Sequence, residues 1–219
     1  MSATTRSISL GFALVLVSLF AFGCRQSSDK ADFGRQVAWR ERPLPVELQP
    51  PLKQLVADGL EQTKYTFYYD QSYTRINYPG GDVPLERGVC TDVIIRAFRK
   101  VGVDLQKEVH EDMRQNFAAY PNKWGLKTPD PNIDHRRVLN LRTYSERKGR
   151  ALKISDNPQD YLPGDVVTWD LGGYPHIGMV TNIWSDDRQK FLLVHNIGRG
   201  ARVEDILFAW KITGHYRYF

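Results

Sequence analysis

The sequence predicts an α+β domain in which N-terminal helices pack on a C-terminal antiparallel sheet. Up to about residue 150, apolar residues recur at helical spacing; after Asp160 the segments turn short, β-branched or aromatic, and are separated by turn formers. The turns between those later segments are short, and short turns join strands antiparallel, whereas parallel pairs need long crossovers.

At the N-terminus a single positive charge, Arg6, precedes an apolar run over residues 8–22. The run is about fifteen residues long, short of the roughly 20 a membrane-spanning helix needs. It closes at Ala21-Phe22-Gly23-Cys24 before the polar stretch Arg25-Gln26-Ser27-Ser28-Asp29-Lys30, the pattern of an export signal. A small residue directly before a cysteine at such a boundary resembles a bacterial lipoprotein box. That implies a signal peptide over residues 1–23, lipidation of Cys24 and a membrane anchor in the periplasm. Residues 24–50 then read as a tether, because Pro43, Pro45 and Pro50 fix the backbone and remove hydrogen-bond donors. Residues 51–219 remain as one domain, long enough for a sizeable core but tight for two.

Within that domain Pro51 suits a first helical position, and Leu52, Leu55, Val56 and Leu60 share one face, so a helix is expected to about Gln62. Residues 66–69 form a short β-favouring piece, followed by the turn-rich loop Tyr78-Pro79-Gly80-Gly81-Asp82-Val83-Pro84. Val93, Ile94, Ala97, Phe98 and Val101 then mark a helix that Gly102 can end in a left-handed conformation. Counting backward puts Cys90 at its start. Leu105, Val109, Met113 and Phe117 mark another helix, residues 120–137 an ordered loop, and residues 141–147 a short helix ending near Gly149. Strands are expected at 166–169, 177–183, 191–195 and 212–218, with turns at 171–175 and 185–188.

The net charge of +5, from 30 Lys and Arg against 25 Asp and Glu, is spread along the chain. The short basic runs His135-Arg136-Arg137 and Arg147-Lys148-Gly149-Arg150 are interrupted, so a nucleic-acid partner is not expected. With Cys24 lipidated, Cys90 is the one remaining thiol in a compartment where thiols pair, and it has no intramolecular partner. Composition alone leaves it equally an apolar filler or a reactive group. A helix start favours reactivity, because free N–H groups and the helix dipole stabilise thiolate. Asp92 is placed to cap the same helix. His176, after Pro175, begins one strand and His195 closes the next; neighbouring antiparallel strands can bring the rings together, one to take a proton and one to orient it. Cys90, His176 and His195 lack a short-spaced ligand pair such as C-x-x-C or H-E-x-x-H, so no metal or other cofactor is expected.

Three motifs stand in order: Gly88-Val89-Cys90-Thr91-Asp92-Val93 opening a helix, Leu162-Pro163-Gly164-Asp165-Val166-Val167 opening a strand, and Pro175-His176-Ile177-Gly178-Met179-Val180. Together they resemble the cysteine, proline-glycine-aspartate and histidine-glycine motifs of NlpC-type cell-wall peptidases. The likeness covers about residues 78–196, and it implies a papain-like fold and cleavage of amide bonds in peptidoglycan peptides. It assigns Cys90 as nucleophile and His176 as base, with His195 or Asn196 as the third, polar member. The family's tyrosine near the cysteine corresponds to Tyr78. Val89 stands where the family has Asp, Thr91-Asp92 where it has Ser-Gly, and the interval from His176 to His195 is longer, which implies an extended hairpin. The whole chain also resembles a group of exported bacterial proteins sharing the loop Asp130-Pro131-Asn132-Ile133-Asp134-His135-Arg136-Arg137 and the end Lys211-Ile212-Thr213-Gly214-His215-Tyr216. In that loop Arg136 or Arg137 is expected to clamp a substrate carboxylate through paired N–H groups. The expected product is therefore a monomeric cysteine hydrolase acting on peptidoglycan or muropeptides; a lipid-tethered binding module and a thioester acyltransferase on the same fold are the alternatives.

Overall fold

The computed structural model describes residues 50–219; the expected export segment, Cys24 and the expected tether up to residue 49 lie outside the described residues. Helix α1 (Pro50–Glu61) opens on two prolines, whose missing N–H groups cost nothing in a first turn that has no helical acceptor for them. It buries Leu55, Val56 and Gly59. A Cβ on Gly59 would stand 2.3 Å from the Met179 methyl, so the bare glycine lets α1 lie directly on the sheet.

Helix α2 (Cys90–Lys100) is buried at every position from 90 to 98. Its two charged members in that stretch are paired: Asp92 with Arg136, and Arg96 with Asp82, whose carboxylate lies 2.9 Å from the Arg96 Nε. Buried charges persist in this way only when matched. Gly102, at φ +84°, turns the chain out of the helix. Helix α3 (Leu105–Asn116) is capped by the Asp104 side chain, which accepts from the Gln106 N–H. Helix α4 (Val138–Arg147) begins three residues before the expected start, because Val138 and Leu141 both reach the core.

Strands β1 (Tyr68–Tyr69) and β2 (Arg87–Gly88) pair parallel in a two-residue ladder. The main sheet contains β3 (Val166–Asp170), β4 (Pro175–Trp184), β5 (Phe191–Asn196), β6 (Ala201–Glu204) and β7 (Lys211–Tyr216), in the order β6-β5-β4-β3-β7 with every pair antiparallel. The described residues thus form a mixed α/β structure with four helices and a five-stranded antiparallel sheet. The β4–β5 hairpin is long, as expected, and its register shifts between Val180 and Trp184. Strand β6 is not among the expected strands; it begins directly after Gly200 and contains Arg202.

On one face of the sheet a large apolar cluster joins the helices to Ile177, Met179, Leu192 and Val194. The other face is not left to solvent. Tyr161, Ile206 and Leu207 cover Val167, Trp169, Val180 and Leu193 there, and the Trp169 indole donates to the Leu207 carbonyl at 2.9 Å. Each fully buried large aliphatic or aromatic side chain in these clusters contributes about 1.5–3 kcal/mol.

Candidate active site

Cys90 occupies the first helical position of α2, after Val89 in extended conformation. The Asp92 carboxylate reaches back to accept the Val89 N–H at 2.6 Å, which anchors the helix start. The amides of Ile177, Thr91 and Cys90 itself all donate toward the sulfur, and the Tyr69 hydroxyl is hydrogen-bonded to it. The Ile177 contact sets the thiol against the start of β4. Yet Cys90 is only 4 % exposed. Burial pushes its thiol up to about 12, against the lowering that the backbone donors exert. The sequence-based expectation of a thiolate-rich cysteine is therefore corrected: a helix start stabilises thiolate, but withdrawal from water outweighs it in this closed form.

His176 lies in β4, stacked on Trp169 with ring centroids 5.8 Å apart and edge-on to Trp210 at 6.0 Å. Its Nε2 is 2.9 Å from Nδ1 of His195 in β5. Burial holds the His176 imidazole down to about 3, with the neighbouring His195 adding to the effect. Gly178 separates the strands at this point: a Cβ there would lie 3.2 Å from the His195 Cβ and 3.3 Å from the Trp169 ring. His195 Nε2 in turn lies 2.7 Å from Oε2 of Glu204. Glu204 and Tyr69 escaped the sequence reading. The first belongs to the unanticipated β6, and the second sits in a tyrosine-rich piece with no pattern pointing to Cys90.

The structure links His176 to His195, sets Cys90 in the helix-side cluster with Ile177, and sends the other sequence candidates elsewhere. Asn196 donates to the carbonyls of Gly88 and Tyr68, at 3.1 and 3.3 Å, and so ties the β1–β2 ladder to the sheet instead of orienting His176. Tyr78 packs edge-on against His110 of α3, with centroids 5.0 Å apart; the tyrosine at the cysteine is Tyr69. Arg136 is buried, with its Nε 2.9 Å from Asp92, so its fork is filled from within the protein and does not meet a substrate carboxylate. Arg137 pairs with Asp134 at 3.1 Å and lies 4.0 Å over the Trp124 ring. Arg136 thus holds the 120–137 loop to α2, whereas Arg137 ties the loop to itself.

The aspartate of the proline-glycine-aspartate motif has a structural contact set. Asp165 accepts from the Leu162 N–H at 2.8 Å and pairs with Arg217, while His215 Nε2 lies 2.7 Å from it and Tyr161 stacks on the His215 ring. Among the described residues, no group of three or more His, Cys, Asp or Glu side chains is arranged to hold a metal ion.

Fold and site together define a mixed α/β protein with a cysteine at a helix start, set against a sheet that carries a linked pair of histidines. Residues 56–218 match the model of a family described as a domain of unknown function, DUF1287, and the chain belongs to that family. It is 53% identical over 179 residues to the uncharacterized protein YijF of Escherichia coli strain K12, covering 81% of this chain and 87% of that one. Among solved structures, it is similar to a Staphylococcus aureus protein described as similar to lipoprotein, NLP/P60 family, at 14% identity and a TM-score of 0.40. The match covers 79% of this chain and 43% of that one.

Proposed function

We propose that the protein is a cysteine hydrolase with a papain-like arrangement, in which Cys90 attacks the carbonyl of an amide in a peptidoglycan peptide. The observation that supports this reading is the placement of the Cys90 sulfur at a helix N-terminus, against the Ile177 amide of the strand whose His176 is linked to a second histidine. With Nε2 of His176 directed to His195, Nδ1 is the ring atom that takes the thiol proton. Proton transfer accompanies attack, because burial opposes a standing thiolate–imidazolium pair in the resting site. The tetrahedral oxyanion is met by backbone amides at the helix start, with that of Cys90 the natural donor. His176 then returns the proton to the leaving amine, and water hydrolyses the thioester with the same ring as base. Substrate class rests on the ordered motifs that resemble NlpC-type peptidases and on the export segment. Membrane attachment through Cys24 places the reaction at the envelope in this reading.

Purified peptidoglycan and defined muropeptides, digested with native protein and with Cys90→Ser, test it. Cleavage by the native chain and its loss in the variant is the expected result, and mass analysis of the products identifies the bond. The burial of Cys90 favours a second reading, a binding module on the same fold. Equal digestion by the two proteins, or none by either, would sink the hydrolase reading.

A further inference from the structure

Glu204 has no part in the mechanism above, yet it ends a continuous line of hydrogen bonds from the candidate base to solvent. We infer that Glu204 is a positioning residue that fixes the proton on each histidine so that His176 presents an unprotonated Nδ1. The inference rests on the reading of His176 as the base.

With both rings neutral, the geometry permits one arrangement of protons. An ionised carboxylate only accepts, so at 2.7 Å from Glu204 the Nε2 of His195 carries hydrogen. A neutral imidazole has one N–H, which leaves His195 Nδ1 as an acceptor. His176 Nε2, 2.9 Å away, must then donate to it. That places the His176 hydrogen on Nε2 and bares Nδ1, the atom required to take a proton from sulfur. Without an acceptor at position 204, the opposite order of protons is equally allowed, and in it His176 carries its hydrogen on the wrong nitrogen.

Sheet register builds the pair. His195 stands opposite Arg202 and Glu204 opposite Leu193, so His195 and Glu204 are diagonal neighbours on one face of β5 and β6. His195 is fully buried, whereas the Glu204 side chain is 41% exposed at the sheet edge. The hydrogen bond from His195, with Arg202 and Arg199 adding their charge, holds the Glu204 carboxyl below its usual range and hence ionised at neutral pH. As sulfur bonds to the carbonyl carbon, the carbonyl π pair moves to oxygen and the thiol proton to His176 Nδ1. The resulting imidazolium keeps its Nε2–H on His195, and the Glu204 carboxylate offsets its charge through that ring.

The full chain, labelled with 15N at histidine, reads this directly: long-range proton–nitrogen correlation at neutral pH identifies the protonated atom of each ring. Both rings are expected as Nε2–H in the native protein. Glu204→Met removes the acceptor and loses the single tautomer at both rings, with a matching loss of kcat on muropeptides; Glu204→Gln, whose carbonyl still accepts, restores both. A native His176 protonated on Nδ1 overturns the inference whatever the variants do, as does a Glu204→Met protein with native tautomers. Because proton positions are read without substrate, a chain that shows the expected tautomers but cleaves nothing supports the role of Glu204 while removing the hydrolase reading.

Discussion

Arg136 grips Asp92 with both arms of its guanidinium, Nε at 2.9 Å from one carboxylate oxygen and Nη2 at 3.0 Å from the other, directly behind the helix start that carries Cys90. Asp92 also accepts the Val89 N–H, and the Arg136 carbonyl accepts from the Thr91 hydroxyl at 2.9 Å. The 120–137 loop is thereby locked to helix α2. Gly88 belongs to the same arrangement, since a Cβ there would stand 2.8 Å from an Asp92 carboxylate oxygen.

Removing one partner of this pair leaves a buried charge. Arg136→Met is expected to destabilise the fold by about 3–5 kcal/mol, measured by urea or guanidinium unfolding of the full chain. A loss under about 1 kcal/mol would show that the pair is not buried in solution as it is here.

Gly178 is expected to control the distance between the two histidines. Its replacement by Ala presses a methyl toward the His195 Cβ and the Trp169 ring, 3.2 and 3.3 Å away. On the proposed mechanism, displacing His195 is expected to lower kcat by up to about 100-fold while the fold persists. Undiminished turnover in Gly178→Ala, with circular dichroism unchanged, would separate His195 from the chemistry.

The closed thiol makes a prediction about reactivity. With its thiol pushed up by burial, Cys90 holds far less thiolate at pH 7 than a free cysteine. Iodoacetamide should label it slowly in the native protein and rapidly in urea. The sign for stability follows from the raised folded value: this contribution is full below pH 9 and is lost as pH rises from about 9 to about 12. Native labelling at the rate of the unfolded chain at pH 7 contradicts the closed site.

Acid acts through two other buried rings. His176 is held down to about 3 and His135 to about 4, both chiefly by burial, and the buried His135 Nδ1 is without a hydrogen-bond partner. The unfolded chain protonates them near 6.5 and the folded chain does not, so stability present above pH 6.5 is lost as pH falls toward 3–4. Asp134, raised to about 6 by burial, works in the opposite direction between 3.8 and 6 and offsets part of the loss. Denaturation midpoints measured from pH 7 to pH 4 should fall, and His135→Gln should flatten the slope. A midpoint that rises over that range refutes this assignment.

Asn196 is expected to matter for the strands beside the site. Its amide donors satisfy the Gly88 and Tyr68 carbonyls, and each buried group left unpaired costs about 1–3 kcal/mol. In Asn196→Ala, amide exchange at Tyr68 and Asp70, which donate to Glu86 and Gly88, should accelerate well before the main sheet opens. Unchanged exchange there would mean that the ladder is held by other contacts.

Much of the fold was legible because local rules suffice for it. The periodicity from Val93 to Val101, ended by Gly102, placed the central helix, and the alternation of short apolar segments with turns located four of the five main strands. Strand β6 was hidden by Gly200 and two arginines, because its pairing depends on the β5 neighbour and not on its own propensity. The same dependence concealed the second apolar layer, where β5 reads only as a run of buried residues.

The residues' own order determined the chemistry on offer: a cysteine at a helix start, a histidine after Pro175 and another closing the next strand. Tertiary packing decided how they stand. It drew Arg136 inward to Asp92, gave the cysteine Tyr69 and not Tyr78, and added Glu204 behind His195. It also reversed the thiol's expected acidity, since burial is a property of everything that surrounds a side chain, whereas a sequence motif specifies only its neighbours along the chain.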